Sequence, residues 1–220
     1  MGEPVLIYSR QWPVTTALKT LLTGMFRAKV VPLYTKAELV CSLKNNPRSP
    51  LVLGLSPHEH VAELYCLKSL LSGRSVLFVA RRFYWTDCRL PDFCGLMLYR
   101  CCTWDRLVDP CSRRMEMRYF RQLMTTNIPA TASDGPPVLT AEQILTEANR
   151  WLYRKMEEAR LNGYERVILL LLAESRRGEL SARKLSHYKN SGLGKLGMSR
   201  HVSNLYRGVR VRPALQAYLP

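Results

Sequence analysis

Arg183, Lys184, Ser186, His187, Lys189, Asn190 and Lys195 crowd into one short stretch, Ser181 to Met198. These are the side chains that handle nucleic acid. Guanidinium and ammonium groups neutralise phosphates or read guanine, and an Asn amide makes a bidentate contact to adenine. The stretch carries helical punctuation. Ser181 is a good N-cap, Leu185, Leu193 and Leu196 form an apolar stripe, and Gly197 suits the position just past a helix end. The spacing predicts a helix, apolar on one side and cationic elsewhere, of a kind that enters the major groove of double-stranded DNA. Gly192 and Gly194 each cost about 1 kcal/mol of helix propensity relative to Ala, so fraying is expected in its second half.

Other residues with chemical potential are less persuasive. His58, Glu59 and His60 have the types of metal ligands, but no third partner lies near them in sequence, and no metal site is expected. Asp105 and Asp109 could pair as carboxylates, and solvation on a helix surface is the simpler expectation. There is no G-x-S-x-G and no P-loop. No catalytic residue and no cofactor is expected, and the chain does not read as an enzyme. The seven cysteines are odd in number and form no C-x-x-C, which fits reduced thiols packed as small hydrophobes in the cytoplasm.

Composition narrows the class. The 220 residues are 47% hydrophobic, enough for a real core, and carry a formal net charge of +16. Between Arg176 and Arg212, ten basic residues face the single Glu179. A polyanionic partner is implied, and the charge gathers around the predicted helix. The longest apolar run, Val167 to Ala173, is too short to span a bilayer, and no signal peptide is read. No membrane partner is expected, and the location read is cytoplasmic and nucleoid-associated.

The elements that must position these residues follow from periodicity. Residues 1–124 alternate short apolar runs with helix-like stretches. Strands are expected at Pro4–Tyr8, Lys29–Leu33, Pro50–Leu55, Ser75–Ala80 and Gly95–Tyr99. Helices are expected at Thr15–Leu22, Lys36–Leu43, Glu59–Leu71 and Trp104–Met124, with no clear helix over 81–94. That alternation predicts a doubly wound α/β domain with a parallel sheet. Residues 125–138, rich in Pro, Thr, Ser and Gly, read as a linker. Residues 139–220 read as all-α, with helices at Ala141–Leu161, closed by Asn162 and Gly163, at Tyr164–Ser175, over the basic stretch, and at His201–Tyr206.

The basic stretch resembles the recognition helix of LuxR/GerE-type helix-turn-helix regulators, whose pattern Ser181, Leu185, Lys189, Leu193, Lys195, Leu196 and Gly197 match. The whole layout is similar to response regulators that join a receiver to a LuxR-type effector domain. The resemblance implies a receiver-like α/β domain at 1–124 and a helical DNA-binding domain at 139–220. A working receiver needs carboxylates for Mg²⁺, a phospho-accepting Asp, a hydroxyl and a Lys. The matching positions hold Ser9 and Arg10, Gly54, Ala80 and Tyr99, so the resemblance implies a receiver that neither binds Mg²⁺ nor accepts phosphate. The effector part departs from the pattern as well. Leu139-Thr140-x-Glu142 fits its start, but Ser181 comes late. Either the first two helices are long, or Gly163–Ala173 is the first helix and the scaffold helix is truncated.

Phe83, Tyr84 and Trp85, preceded by Arg81 and Arg82, combine aromatics with Arg, as interface hot spots do, and are read as a partner surface. The expected function is DNA-binding transcription regulation without phosphorylation, similar to auxiliary regulators of the Rcs kind. Such a protein works as a homodimer or as a heterodimer with a related LuxR-type regulator. The alternative is a protein-interaction module that titrates a related regulator without touching DNA.

Overall fold

A computed structural model of the chain describes residues 3–126, 139–176 and 180–217. The linker expected at 125–138 lies outside these from residue 127 onward. The chain divides into two compact units. One comprises Met1–Ser56, Leu64–Phe83 and Cys94–Pro137, and the other Pro57–Glu63, Tyr84–Phe93 and Val138–Pro220. The short stretches 57–63 and 84–93 thus fall with the helices and not with the sheet, where the reading of 1–124 as one domain had put them.

The first unit is α/β. Its strands are β1 (Val5–Tyr8), β2 (Val30–Leu33), β3 (Leu51–Leu53), β4 (Ser75–Ala80) and β5 (Leu98–Thr103). All pair in parallel in the order β2-β1-β3-β4-β5. Parallel strands need crossovers, which run through the helices α1 (Trp12–Leu22), α2 (Lys36–Asn45), α3 (Val61–Cys66) and α4 (Lys68–Leu71). Helices α6 (Trp104–Val108) and α7 (Pro110–Thr125) complete the unit, while the single turn α5 (Leu90–Phe93) between β4 and β5 falls in the second unit. Strands β1, β3 and β4 are buried along their whole length, which is why they read as continuous apolar runs. Pro32, which cannot donate to a ladder, sits in the edge strand β2.

Period-two alternation sends Val5, Ile7, Val52, Leu77 and Val79 to one face. There they meet Leu18 and Leu22 of α1, Leu107 of α6, and Met117 and Phe120 of α7. Local chemistry sets the helix ends. Thr35 and Glu38 form a reciprocal capping box on α2. Pro110 stops α6 and starts α7, and the Asp109 carboxylate accepts from the Ser112 amide at 2.7 Å. The single helix expected over Trp104–Met124 is therefore two. The helix expected at Glu59–Leu71 is also broken, into a 3₁₀ turn at Pro57–Glu63's start (Pro57–Glu59), α3 and α4. Arg74 is buried and donates to the carbonyls of Leu43, Asn46, Ser49 and Leu70, locking the end of α2 to β4; burial pushes its guanidinium down to about 10.

The second unit is helical: α8 (Ala141–Glu158), α9 (Gly163–Ala173), α10 (Ala182–Lys195) and α11 (Val202–Gly208), with a closing 3₁₀ turn at Pro213–Leu215. Its core takes Ile144, Leu145, Ala148, Leu152 and Met156 from α8, Ile168 and Leu169 from α9, and Leu193 from α10. Asn162 does not close α8, as expected; it caps α9 in a reciprocal box with Glu165. Helix α8 instead ends through Arg160 in the left-handed region, at φ 61°.

Candidate nucleic-acid interface

Helix α10 is built by its ends and by one clamp. Ser181 occupies the N-cap position, but its side chain makes no capping hydrogen bond. The C-terminus is closed by a complete Schellman motif: Met198 N donates to Leu193 O at 2.8 Å and Gly197 N to Gly194 O at 3.0 Å, with Gly197 at φ 68°. The helix runs unbroken through both internal glycines, so the expected fraying is not found. A Cβ at Gly192 would stand 2.9 Å from Leu169 Cδ1, whereas one at Gly194 would meet nothing. Gly192 is the point where α10 closes on α9. Gly192, Gly194 and Gly197 also spell G-x-G-x-x-G, yet here they end a helix. They do not open one after a strand, as a dinucleotide-binding turn does.

The clamp is Glu165 of α9, a buried carboxylate missed in the sequence. Its oxygens accept from Ser191 Oγ at 2.6 Å and from Lys195 Nζ at 2.8 Å, besides the Asn162 amide at 2.8 Å. Burial alone would raise its pKa; the hydrogen bonds outweigh that and hold it below the usual glutamate range. Lys195, counted among the DNA contacts, is therefore committed to the protein's own fold.

The remaining residues separate by helical position. Leu185, Lys189, Gly192, Leu193 and Leu196 share the inward side, and Lys189 is half-buried there. Lys189 is thus poorly placed for a groove. The outer edge carries the exposed Arg183, Lys184, Ser186 and His187, whereas Asn190 is half-buried like Lys189 and its Oδ1 is buried, so it too is poorly placed for a groove. Asn190 Nδ2 lies 3.4 Å from Ser186 Oγ. The Tyr188 ring stacks on Tyr164 of α9 (5.7 Å, 19°) and meets His187 edge-on at 5.5 Å.

The charge around α10 is less available than its count suggests. Arg176 and Arg210 pair with Glu174, Arg207 with Glu59 at 2.6 Å, and Lys195 with Glu165. Arg212 stacks on Tyr206 and donates to Ala173 O, the last carbonyl of α9. Arg183, Lys184 and Arg200 are the exposed cations with no acidic partner among the described residues. The segment after α11 is strapped down by Asn149, whose amide brackets Val211 at 2.8 and 3.0 Å. Gln216 bonds both His58 O and Val61 N.

Ser9, Gly54 and Ala80 do gather at the carboxyl ends of β1, β3 and β4. Ser9 Oγ donates to Gly54 O at 2.9 Å, and a Cβ at Gly54 would stand 2.7 Å from Val14 Cγ1 and 3.0 Å from Leu18 Cδ1. A side chain at position 54 therefore has no room without moving Val14 and Leu18. Arg10 is exposed beside it. Tyr99 does not belong to this group, because it sits second in β5, opposite Val76, while Thr103 ends that strand beside Ala80. The fifth strand was read three residues early because Gly95–Tyr99 is the more apolar segment.

Phe83, Tyr84 and Trp85 are not an open surface. Trp85 is 7% exposed and the other two are half-buried. Tyr84 meets His58 edge-on at 5.2 Å. His58 Nδ1 lies 2.8 Å from Asp87 Oδ1, and Asp87 also accepts from the His58 and Tyr84 amides. His60 pairs with Glu63 at 3.1 Å. His58 and His60, read from the sequence as a solvated loop, are instead buried hydrogen-bonding groups. Among the described residues, no group of three or more His, Cys, Asp or Glu is arranged for a metal.

No helix of the described residues is long and apolar enough to cross a membrane. No family model matches the sequence, and no curated protein matches it. Among solved structures, the chain is similar to a crystal structure of full-length FixJ from B. japonicum, with 15% sequence identity, a TM-score of 0.39, and coverage of 94% of this chain and 95% of that one.

Proposed function

We propose that the chain is a DNA-binding transcription regulator that works without phosphorylation and performs no catalysis. The observation that carries this reading is the outer edge of α10. Arg183, Lys184, Ser186 and His187 are exposed on a helix whose far end is closed and clamped. A 14-residue helix is about 21 Å long and fits a groove about 12 Å wide. Preorganisation matters because a helix already fixed loses little entropy on docking. The LuxR-type resemblance, in which the recognition helix follows two others, supports this choice of α10, which follows α8 and α9. The lack of room for a side chain at Gly54 supports control by protein level or by a partner, either a second copy or a related regulator, in the cytoplasm.

The test is duplex binding by the full chain over a salt series, with selection from a random duplex pool. Arg183→Glu/Lys184→Glu should abolish binding, and log Kd should rise steeply with log salt. Unchanged binding by that variant would reject the assignment of α10.

A second reading, partner binding without DNA contact, is favoured by the intramolecular pairing of so many cations in the helical unit. Its expected signature is a cellular effect that survives Arg183→Glu/Lys184→Glu.

A further inference from the structure

A second cationic stripe lies on α7, in the α/β unit; at one end of it Arg121 Nε donates to Met117 O at 3.2 Å. Arg114, Arg118 and Arg121 are exposed at i, i+4 and i+7, a line about 10 Å long. The sole acid of α7, Glu116, is buried and already taken by Arg100 at 2.5 Å and Arg106 at 2.9 Å. No acidic partner for the three stripe arginines occurs among the described residues.

Beside the stripe runs an apolar line. Cys111, Met115 and Tyr119 follow at spacing four, with Met115 55% and Tyr119 41% exposed, and Val108 of α6 is open too. Tyr119 is held in place, because the Arg100 guanidinium lies 4.3 Å above its ring and is itself fixed by Glu116. An exposed aromatic already immobilised loses little freedom when covered.

We infer that this face of α7 docks an acidic, amphipathic protein segment, with carboxylates on Arg114, Arg118 and Arg121 and apolar side chains on Met115 and Tyr119. Arg, Tyr and Met are the residues enriched in protein interfaces. A phosphate backbone has carboxylate-like charge but nothing to cover Met115, Tyr119 and Val108. A second copy of this chain meeting face to face would set the arginine stripe against its own image, a like-charge contact. An acidic partner satisfies both lines at once. The inference supplies a surface and a partner chemistry for the second reading above, and it holds whether or not α10 reads DNA.

The experiment uses the full chain and two fluorescein-labelled helical peptides. One carries Glu on one line and Leu on the next; the other has Ser for every Leu at the same charge. By anisotropy, the Leu peptide should bind. Arg114→Glu/Arg118→Glu and, separately, Met115→Ser/Tyr119→Ser should each weaken it about tenfold or more. The Ser peptide should bind about tenfold more weakly, and Arg183→Glu/Lys184→Glu should leave Leu-peptide binding unchanged. Arg114→Gln/Arg118→Gln, which removes charge without reversing it, replaces the reversal if thermal unfolding shows that variant misfolded. Equal binding of both peptides would reduce the stripe to bulk charge and overturn the inference. So would no binding by the wild type, or duplex DNA that competes with the peptide and loses affinity in the α7 variants.

Discussion

Lys195 Nζ on α10 lies 2.8 Å from Glu165 Oε2 on α9, so the last cation of the basic helix is a structural counter-ion. Glu165 is buried and capped at the same time by Ser191 and Asn162, and this pairing sets how the two helices meet. Lys195→Met should cost about 1–3 kcal/mol, since it leaves a buried carboxylate short of a donor. The sign of the pH dependence follows from the lowered Glu165 pKa. Its contribution is present above the ordinary glutamate range and is lost as pH falls through the folded-state value. Urea unfolding between pH 7 and pH 3 should show that acid-side loss in the wild type and a flatter profile in Glu165→Gln. Equal stability of Lys195→Met and wild type would sink the clamp.

The crowding around Gly54 makes a prediction of its own. Gly54→Asp should not restore a phospho-acceptor, because the new Cβ runs into Val14 and Leu18. The expected cost is about 1–3 kcal/mol from overpacking. Adding Val14→Ala should recover part of it. Uptake of label from a small acyl phosphate by Gly54→Asp, with an unshifted Tm, would contradict this account.

Two glycines two residues apart should respond in opposite directions. Gly192→Ala forces Leu169 to move and should destabilise the helical unit by about 1–3 kcal/mol. Gly194→Ala meets open space within a helix and should stabilise by up to about 1 kcal/mol. Thermal unfolding of both variants is the check, and a shared sign would show that α10 does not approach α9 as described.

Thiol reactivity should sort by burial. Cys94 and Cys102 are buried and pushed up to about 12 by desolvation, so neither offers a thiolate near neutrality. Cys41, Cys66, Cys88 and Cys111 are exposed. Timed alkylation of the native protein, read by peptide mass, should label those four first. Early labelling of Cys94 would contradict the packing.

Trp85→Ala should behave as a core truncation, costing about 3–5 kcal/mol, and not as a selective loss of a partner. A folded variant with an unchanged Tm would restore the aromatic cluster as an outer surface.

The sheet was legible because its strands are buried on both faces. Leu51-Val52-Leu53 and Ser75–Ala80 are apolar without interruption, and no helix of that length fits between their turns. The helical punctuation of 181–198 was equally legible, because Gly197 past an apolar stripe is a local signal that needs no partner. Strand β5 was harder to read. Its edge position leaves Tyr99, Arg100 and Cys101 half-buried, which dilutes the apolar pattern and shifted the expected strand toward Gly95.

The sequence by itself determined the order of elements, the +16 charge and the existence of a basic amphipathic helix, all of which depend on residues near one another in the chain. The tertiary structure alone decided which charges face outward. Glu165 and Lys195 are thirty residues apart, Glu59 and Arg207 are 148 apart, and Glu116 takes Arg100 from a different element. Ion pairing depends on distance in space, and burial turns a formal charge into a structural bond or leaves it to a partner. For that reason the sequence count gathered the cations around α10, while the fold leaves Arg114, Arg118 and Arg121 on α7 without an acidic partner among the described residues.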